Sequence, residues 1–234
     1  MQFEPTLRSN IIAAARDLNS SPAGFATFKK SFCNEKYWTL TSEGGFQLRD
    51  SVMPAEAIQD IFSNGKKYGF ECATAIIIVL YKAVLDTLGE TPFNRLFQNL
   101  YLHSWQADSD LGLITEDAPS EKSQPGDVLY FKNPDVNPEK MEWQGENVVK
   151  LGDDLYFGHG IGIKSGEGII ASLNKRRIEN ATKSAYLEDR FVYPDFYHLS
   201  QYAPADIRLY YNTKWPTPYA AVGASIGVRR YIRH

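Results

Sequence analysis

Residues 70–89 read Phe70-Glu71-Cys72-Ala73-Thr74-Ala75-Ile76-Ile77-Ile78-Val79-Leu80-Tyr81-Lys82-Ala83-Val84-Leu85-Asp86-Thr87-Leu88-Gly89. This stretch predicts a helix over about Phe70–Leu88, closed by Gly89. From Ala73 to Leu80 it is apolar nearly all round instead of along one stripe, which predicts a central helix enclosed by the rest of the chain. Its apolar run, Cys72–Tyr81, is about half of what a bilayer span needs, so it reads as a core helix. Cys72 falls in the first turn of this buried element.

Upstream, Leu7, Ile11, Ala14, Ala15 and Leu18 recur on one helical face and predict a helix over Thr6–Leu18. Phe25, Phe28 and Phe32 follow at spacings compatible with a short aromatic helix. Tyr37–Leu40 and Gly45–Leu48 read as strands around Thr41-Ser42-Glu43-Gly44. Ser51–Asn64 reads as a helix with Ser51 as N-cap and Pro54 in the first turn, stopped at Asn64-Gly65. Thr91–Leu102 reads as a further helix, and Ala107–Pro125 as a long polar loop. After it the pattern turns to strands: Asp127–Lys132, then Trp143–Leu151 and Leu155–Lys164 flanking the hairpin signal Gly152-Asp153-Asp154, and a further candidate at Gly168–Leu173. Helices early and strands late predict the α+β class, with the Cys72 helix packed on an antiparallel sheet.

From Phe191 to Tyr219, nine aromatics and four prolines occur without a period. We divide the chain into a main domain, 1–190, and an aromatic, Pro-rich C-terminal extension, 191–234, expected to pack on the same domain.

Composition excludes several classes. The chain has 234 residues, 43% hydrophobic and 23% charged, with a net charge of −3. That length builds a core without disulfide or metal staples. The charge carries no basic footprint for nucleic acid and no polybasic membrane signal. Two cysteines, Cys33 and Cys72, make neither a disulfide framework nor a Cys-rich zinc site. The N-terminus lacks the basic and apolar regions of a signal peptide, so synthesis in the cytosol is expected.

Four residues carry the chemical candidates. A thiol at a helix N-terminus feels unpaired N–H groups and the positive dipole end, which favour the thiolate; free Cys is nonetheless more often a small buried hydrophobe. Two of three turn registers at Gly152–Asp154 bring Glu146 and His159 together across the hairpin, and the third separates them by face. Gly158, Gly160 and Gly162 around His159 mark close approach of another backbone or a ligand, whereas an exposed cross-strand pair would be worth little. Glu71 is adjacent to Cys72, a spacing that does not pair on a helix, unless its side chain folds back over the first turn. Trp105 and Trp143 read as packing residues unless they wall a site. His103, His198 and His234 form no ligand spacing, so no metal and no cofactor are expected. Asp108, Asp110 and Glu116 are not an EF-hand loop, so activity is expected to be calcium-independent.

Phe70-Glu71-Cys72-Ala73-Thr74-Ala75, Gly126–Pro134, Trp143-Gln144-Gly145-Glu146-Asn147-Val148 and Tyr156–Gly162 together resemble the spore-coat transglutaminase family of Bacillus-type bacteria. The likeness runs from about Arg8 to Leu187. It implies an NlpC/P60 (papain-like) cysteine-enzyme core. It implies that Cys72 is the nucleophile, Glu146 its partner carboxylate and Glu71 a second carboxylate that can partly substitute. Asn147 and His159 match polar neighbours of the site, and Phe25 and Trp105 match aromatics beside the nucleophile; with Trp143 they would form a substrate-binding wall. The implied reaction joins protein Gln and Lys side chains by ε-(γ-glutamyl)lysine bonds through a Cys thioester, on spore coat proteins of the forming spore. Free Glu and free Cys differ by about four pK units, so one of them must be shifted for Glu to serve as base. Two other readings stay open: a cysteine amidohydrolase or peptidase pairing Cys72 with His159, and a non-catalytic structural coat component.

Overall fold

The computed structural model describes residues 3–207, 224–226 and 229–231. Helix α1 is Phe3–Ser20 and buries Phe3, Leu7, Ile11, Ala14, Ala15 and Leu18, the apolar stripe legible in the sequence. Two short strands, β1 (Gly24–Phe25) and β4 (Gly69–Phe70), pair in parallel. Between them run β2 (Trp38–Leu40), β3 (Phe46–Leu48) and helix α2 (Pro54–Ser63). Helix α3 is Cys72–Leu88, followed by α4 (Glu90–Leu96) and β5 (Tyr101–Leu102); β2, β3 and β5 make a three-stranded sheet.

The main sheet has six antiparallel strands in the order β10-β9-β8-β7-β11-β6. These are β6 (Leu113–Glu116), β7 (Val128–Lys132), β8 (Gly145–Gly152), β9 (Leu155–Gly158), β10 (Gly162–Lys164) and β11 (Tyr186–Pro194). Helix α5 (Gly166–Asn174) precedes β11, α6 (Phe196–Ser200) follows it, and β12 (Ala224–Ile226) pairs with β13 (Arg229–Tyr231).

Alternation along the strands sends residues to two cores. Val128, Val149, Leu151 and Phe157 join α1 and α3 on one face of the sheet. Leu129, Phe131, Val148 and Tyr156 join Ile169 and Leu173 of α5 in a second cluster. Every residue of α3 except Asp86 is buried; Lys82 reaches Asp86 with its ammonium over the Phe62 ring, 5.5 Å from the centroid. Truncating a fully buried Ile of this helix to Ala would cost about 2–5 kcal/mol. The molecule is thus a mixed α+β fold with the Cys72 helix against an antiparallel sheet.

Several local expectations are corrected. Gly168–Leu173 is helical, within α5: the Ser165 hydroxyl accepts from the Gly168 N–H and caps the helix, and Ile169 and Leu173 bury one face of it. The helix expected over Thr91–Leu102 stops at Leu96, because Tyr101–Leu102 pairs with β3. Phe25 lies in β1, and only Phe28 lies in a short 3-10 turn. Ser51 is not a cap; it has φ 64, and Met53 stands at the N-cap of α2 ahead of Pro54. The polar stretch 107–125 contributes the edge strand β6. Strand β11 runs through residue 190, the boundary drawn from composition, and α6 continues onto α1. Beyond residue 207 the extension, apart from β12 and β13, lies outside the described residues.

Candidate active site

The β1–β4 pair aligns Phe25 with Phe70 and delivers the chain to the start of α3. Glu71 is the N-cap of that helix, with extended φ −85 and ψ 162. Its Oε2 accepts from the Ala73 N–H at 2.9 Å, and its Oε1 accepts from the Cys72 thiol at 3.1 Å. Because the cap residue stands outside the helical spiral, its side chain folds back over the first turn, so neighbours in sequence meet in space. The Ala73 N–H is thereby occupied by Glu71.

Asn147 of β8 donates from Nδ2 to Cys72 Sγ at 3.5 Å. It is paired with Tyr130 of β7 and shares the sheet face of Val149, toward α3. Glu146 is on the next pleat, with Phe131 and Val148. It is 0% exposed, and among the described residues neither carboxylate oxygen has a hydrogen-bond partner. Burial pushes Glu146 well above the usual carboxylate range, Glu71 adds to this, and Arg176 opposes it. Cys72, 2% exposed, is likewise raised well above an ordinary thiol: burial first, then the charges of Glu146 and Glu71, with Asn147 acting the other way. The resting site therefore favours the thiol over the thiolate.

The hairpin turn lies at Asp153-Asp154, with Gly152 opposite Leu155, but the register slips between Lys150 and Gly152. Beyond the slip, Val149 pairs with Phe157 and Val148 with Gly158. Glu146 thus packs on the pleat of Gly158, where an added Cβ would stand 2.8 Å from its Cγ, and His159 goes to the other side. The expected Glu146–His159 pair does not form, because one extra residue in a ladder flips every later side chain. The His159 ring stacks on Phe70 with centroids 4.7 Å apart, and Nε2 lies 3.1 Å from the Gly24 carbonyl oxygen. A carbonyl only accepts, so Nε2 carries the proton. Burial lowers the imidazole to about 4, so it is neutral at physiological pH. His159 thus contacts both strands of the β1–β4 pair, whose second strand leads directly into Cys72.

Cys72 opens onto a cleft of about 510 Å³. Trp105, 38% exposed, lines it with Phe28, Tyr130, Asn147 and Glu188. Phe25 and Trp143 are not on that lining. They stack on each other at 5.1 Å, with the Arg176 guanidinium 3.6 Å from the Trp143 ring centroid. Sequence reasoning missed Tyr130, Phe28, Glu188 and Arg176. Only Tyr130 had a usable signal, as the partner of Asn147 across two strands. Burial pushes its phenol up to about 12, helped by the charges of Cys72 and Glu188. Among the described residues no group of three or more His, Cys, Asp or Glu could hold a metal ion, and no helix is long and apolar enough to cross a membrane.

A buried thiol with a carboxylate oxygen and an amide donor on its sulfur, at the foot of a cleft in an α+β fold, is the equipment of a cysteine acyl-transfer enzyme. Comparison with known proteins agrees. The family model for protein-glutamine gamma-glutamyltransferase matches residues 1–203. The protein-glutamine gamma-glutamyltransferase of Bacillus mycoides (strain KBAB4) is 53% identical over 204 residues, covering 87% of this chain and 73% of that protein. That of Bacillus cereus (strain B4264) is 52% identical over 203 residues, with the same coverage. The solved transglutaminase from Geobacillus stearothermophilus (without C-terminal extension) superposes with a TM-score of 0.83 at 53% identity, covering 86% of this chain and 96% of that one. The chain belongs to the protein-glutamine gamma-glutamyltransferase family. Its activity is transfer of the γ-glutamyl group of protein-bound glutamine, and its substrates are proteins supplying Gln and Lys side chains.

Proposed function

We propose that Cys72 is the nucleophile and that transfer runs through a thioester. The Cys72 thiol gives its proton to the Glu71 carboxylate as sulfur attacks the glutamine γ-carboxamide carbon. The Asn147 amide, which already donates to sulfur, stabilises developing negative charge. The C–N bond breaks, the proton returns from Glu71 to nitrogen, and ammonia leaves a γ-glutamyl thioester. A neutral lysine ε-amine then attacks that carbon, the C–S bond breaks, and Cys72 recovers a proton as the isopeptide forms. Glu146, raised by burial, is a second proton carrier at this centre, and His159 acts as a positioning residue. Trp105 covers the thioester against water, and the Phe25–Trp143 stack backs the site.

The observation that carries this reading is the 3.1 Å contact between Cys72 Sγ and Glu71 Oε1 at the foot of the cleft. The hydrolase alternative, which pairs Cys72 with His159, is disfavoured because that imidazole is committed to the Gly24 carbonyl. The core belongs, in this reading, to the NlpC/P60 papain-like group. The substrates are spore coat proteins and the site of action is the coat of the forming spore, a reading supported by the Bacillus origin of the matched relatives.

The test incubates wild type and Cys72→Ala with a glutamine-bearing protein and a fluorescent amine. Cys72→Ala is expected to incorporate no amine and to form no mass-detectable acyl adduct; incorporation equal to wild type would overturn the assignment. For the coat, ε-(γ-glutamyl)lysine content is measured in spores with and without the gene, and equal content would reject that substrate class.

A further inference from the structure

Strand β11 pairs Leu187 with Phe131 and Phe191 with Leu129, so Glu188, Asp189 and Arg190 stand opposite the single residue Tyr130. Bulges of this kind re-aim side chains, often beside active sites. Here Glu188 and Arg190 both reach the wall of the cleft that contains Cys72, along with Tyr130 and Glu142. Asp189 is turned to the Ser120 N–H, 3.0 Å away. Both charges on the wall have ion-pair partners at the surface. Arg190 pairs with Asp117 at 2.6 Å. Glu188 meets the ammonium of Lys132 at 3.4 Å, with the two side chains 27% and 48% exposed, and its charge is also felt by Arg190. An exposed pair at that distance is worth about 0–1 kcal/mol and exchanges readily.

An acyl-acceptor lysine has an ordinary pKa near about 10.4 and so arrives as a cation. A carboxylate on the cleft wall, already engaged by one lysine ε-ammonium, matches that charge. We propose that Glu188 receives the ε-ammonium of the acceptor lysine on entry, with Lys132 giving way to it, and so selects cationic amines as acceptors; the ammonium then gives one proton to bulk water, and the neutral amine attacks the thioester. Glu71 and Glu142 add negative charge to the same lining, and among the described residues Arg190, paired with Asp117, is the one cation on it. Glu188 is a specificity residue and takes no part in bond making. The inference rests on Cys72 lying in the acceptor cleft.

The test uses the full chain, a glutamine donor peptide and two acceptors: Nα-acetyl-lysine amide, cationic at neutral pH, and hydroxylamine, neutral there. Glu188→Gln is expected to lower the ratio of kcat/KM for the lysine acceptor to that for hydroxylamine by about tenfold, mostly through KM. Glu188→Asp should recover part of the ratio. Rising salt should lower the wild-type ratio and leave that of Glu188→Gln flat. An unchanged ratio in Glu188→Gln, or equal loss with both acceptors, would overturn the proposal. Failure of the underlying reading is distinguished by Cys72→Ala: if it still used either acceptor, the nucleophile would lie elsewhere.

Discussion

The Ser104 N–H donates a 2.9 Å hydrogen bond to Thr74 Oγ1, tying the first turn of α3 to the loop that carries Trp105. Ser104 has φ 53, a left-handed backbone that costs a non-glycine residue about 1–2 kcal/mol. That hydrogen bond helps hold the strained turn and with it the indole on the wall of the cleft that contains Cys72. Thr74→Val keeps the shape and removes the acceptor. It is expected to cost about 1–3 kcal/mol and to raise the ratio of ammonia released to amine incorporated several-fold, because water reaches the thioester. An unchanged ratio would separate Thr74 from the placement of Trp105.

Glu71 and Glu146 both raise Cys72, but only Glu71 touches the thiol. Each single Gln variant is expected to keep part of the activity, and the double variant to lose about 10³-fold or more in kcat, within the usual range of proton-transfer catalysis. Single-turnover acylation rates measure this. A double variant no worse than Glu71→Gln would remove Glu146 from proton transfer.

Glu146 also shapes stability against pH. Its folded pKa is raised, so the folded state binds more protons than the unfolded chain between the ordinary carboxylate value and the raised one. That stability is fully present below the unfolded pKa and is lost as pH rises through the folded value. Glu146→Gln should therefore raise Tm at neutral pH, by about 3 °C or more, with a shrinking difference as the pH falls toward 4. Scanning calorimetry of both proteins across pH checks the sign.

His159 is neutral above about pH 4. Its loss should remove the Gly24 bond and the Phe70 stack, costing His159→Gln about 1–3 kcal/mol. The pH dependence of kcat/KM should show no ionisation near pH 6.5 in wild type, and its shape should be the same in the variant. An inflection there that His159→Gln abolishes would make the imidazole a proton carrier.

Gly158 has room for no side chain: a Cβ would stand 2.8 Å from both Cγ and Oε1 of Glu146. Gly158→Ala is expected to displace Glu146 and destabilise by about 1–3 kcal/mol, with a fall in rate close to that of Glu146→Gln. Gly152→Ala in the same hairpin, whose Cβ would meet only Leu155 at 3.9 Å, is the control. Equal effects of the two substitutions would mean that strand packing, and not the carboxylate, is responsible.

Much of this molecule is written locally. The stripe from Leu7 to Leu18 and the all-round apolar run after Cys72 dictate α1 and α3, because burial of apolar surface along a helix depends on spacing that a reader can count. The same counting misled where a neighbour overrode it. Gly168–Leu173 suits strand or helix, and the Ser165 cap decides for α5. Tyr101–Leu102 would extend a helix but finds β3.

By itself, then, the sequence determined the α+β class, the enclosure of the Cys72 helix and the set of residues to watch: Cys72, Glu71, Glu146, Asn147 and His159. Their relations were decided by tertiary structure alone. A one-residue irregularity between Lys150 and Gly152 sent His159 to the Gly24 carbonyl instead of to Glu146, and the pairing of β11 with β7 set Glu188 and Arg190 on the wall of the cleft. Strand alternation has a period of two, so a register shift of one residue reverses which face each side chain meets. Such a shift arises from packing between segments far apart in the chain, and no local spacing records it.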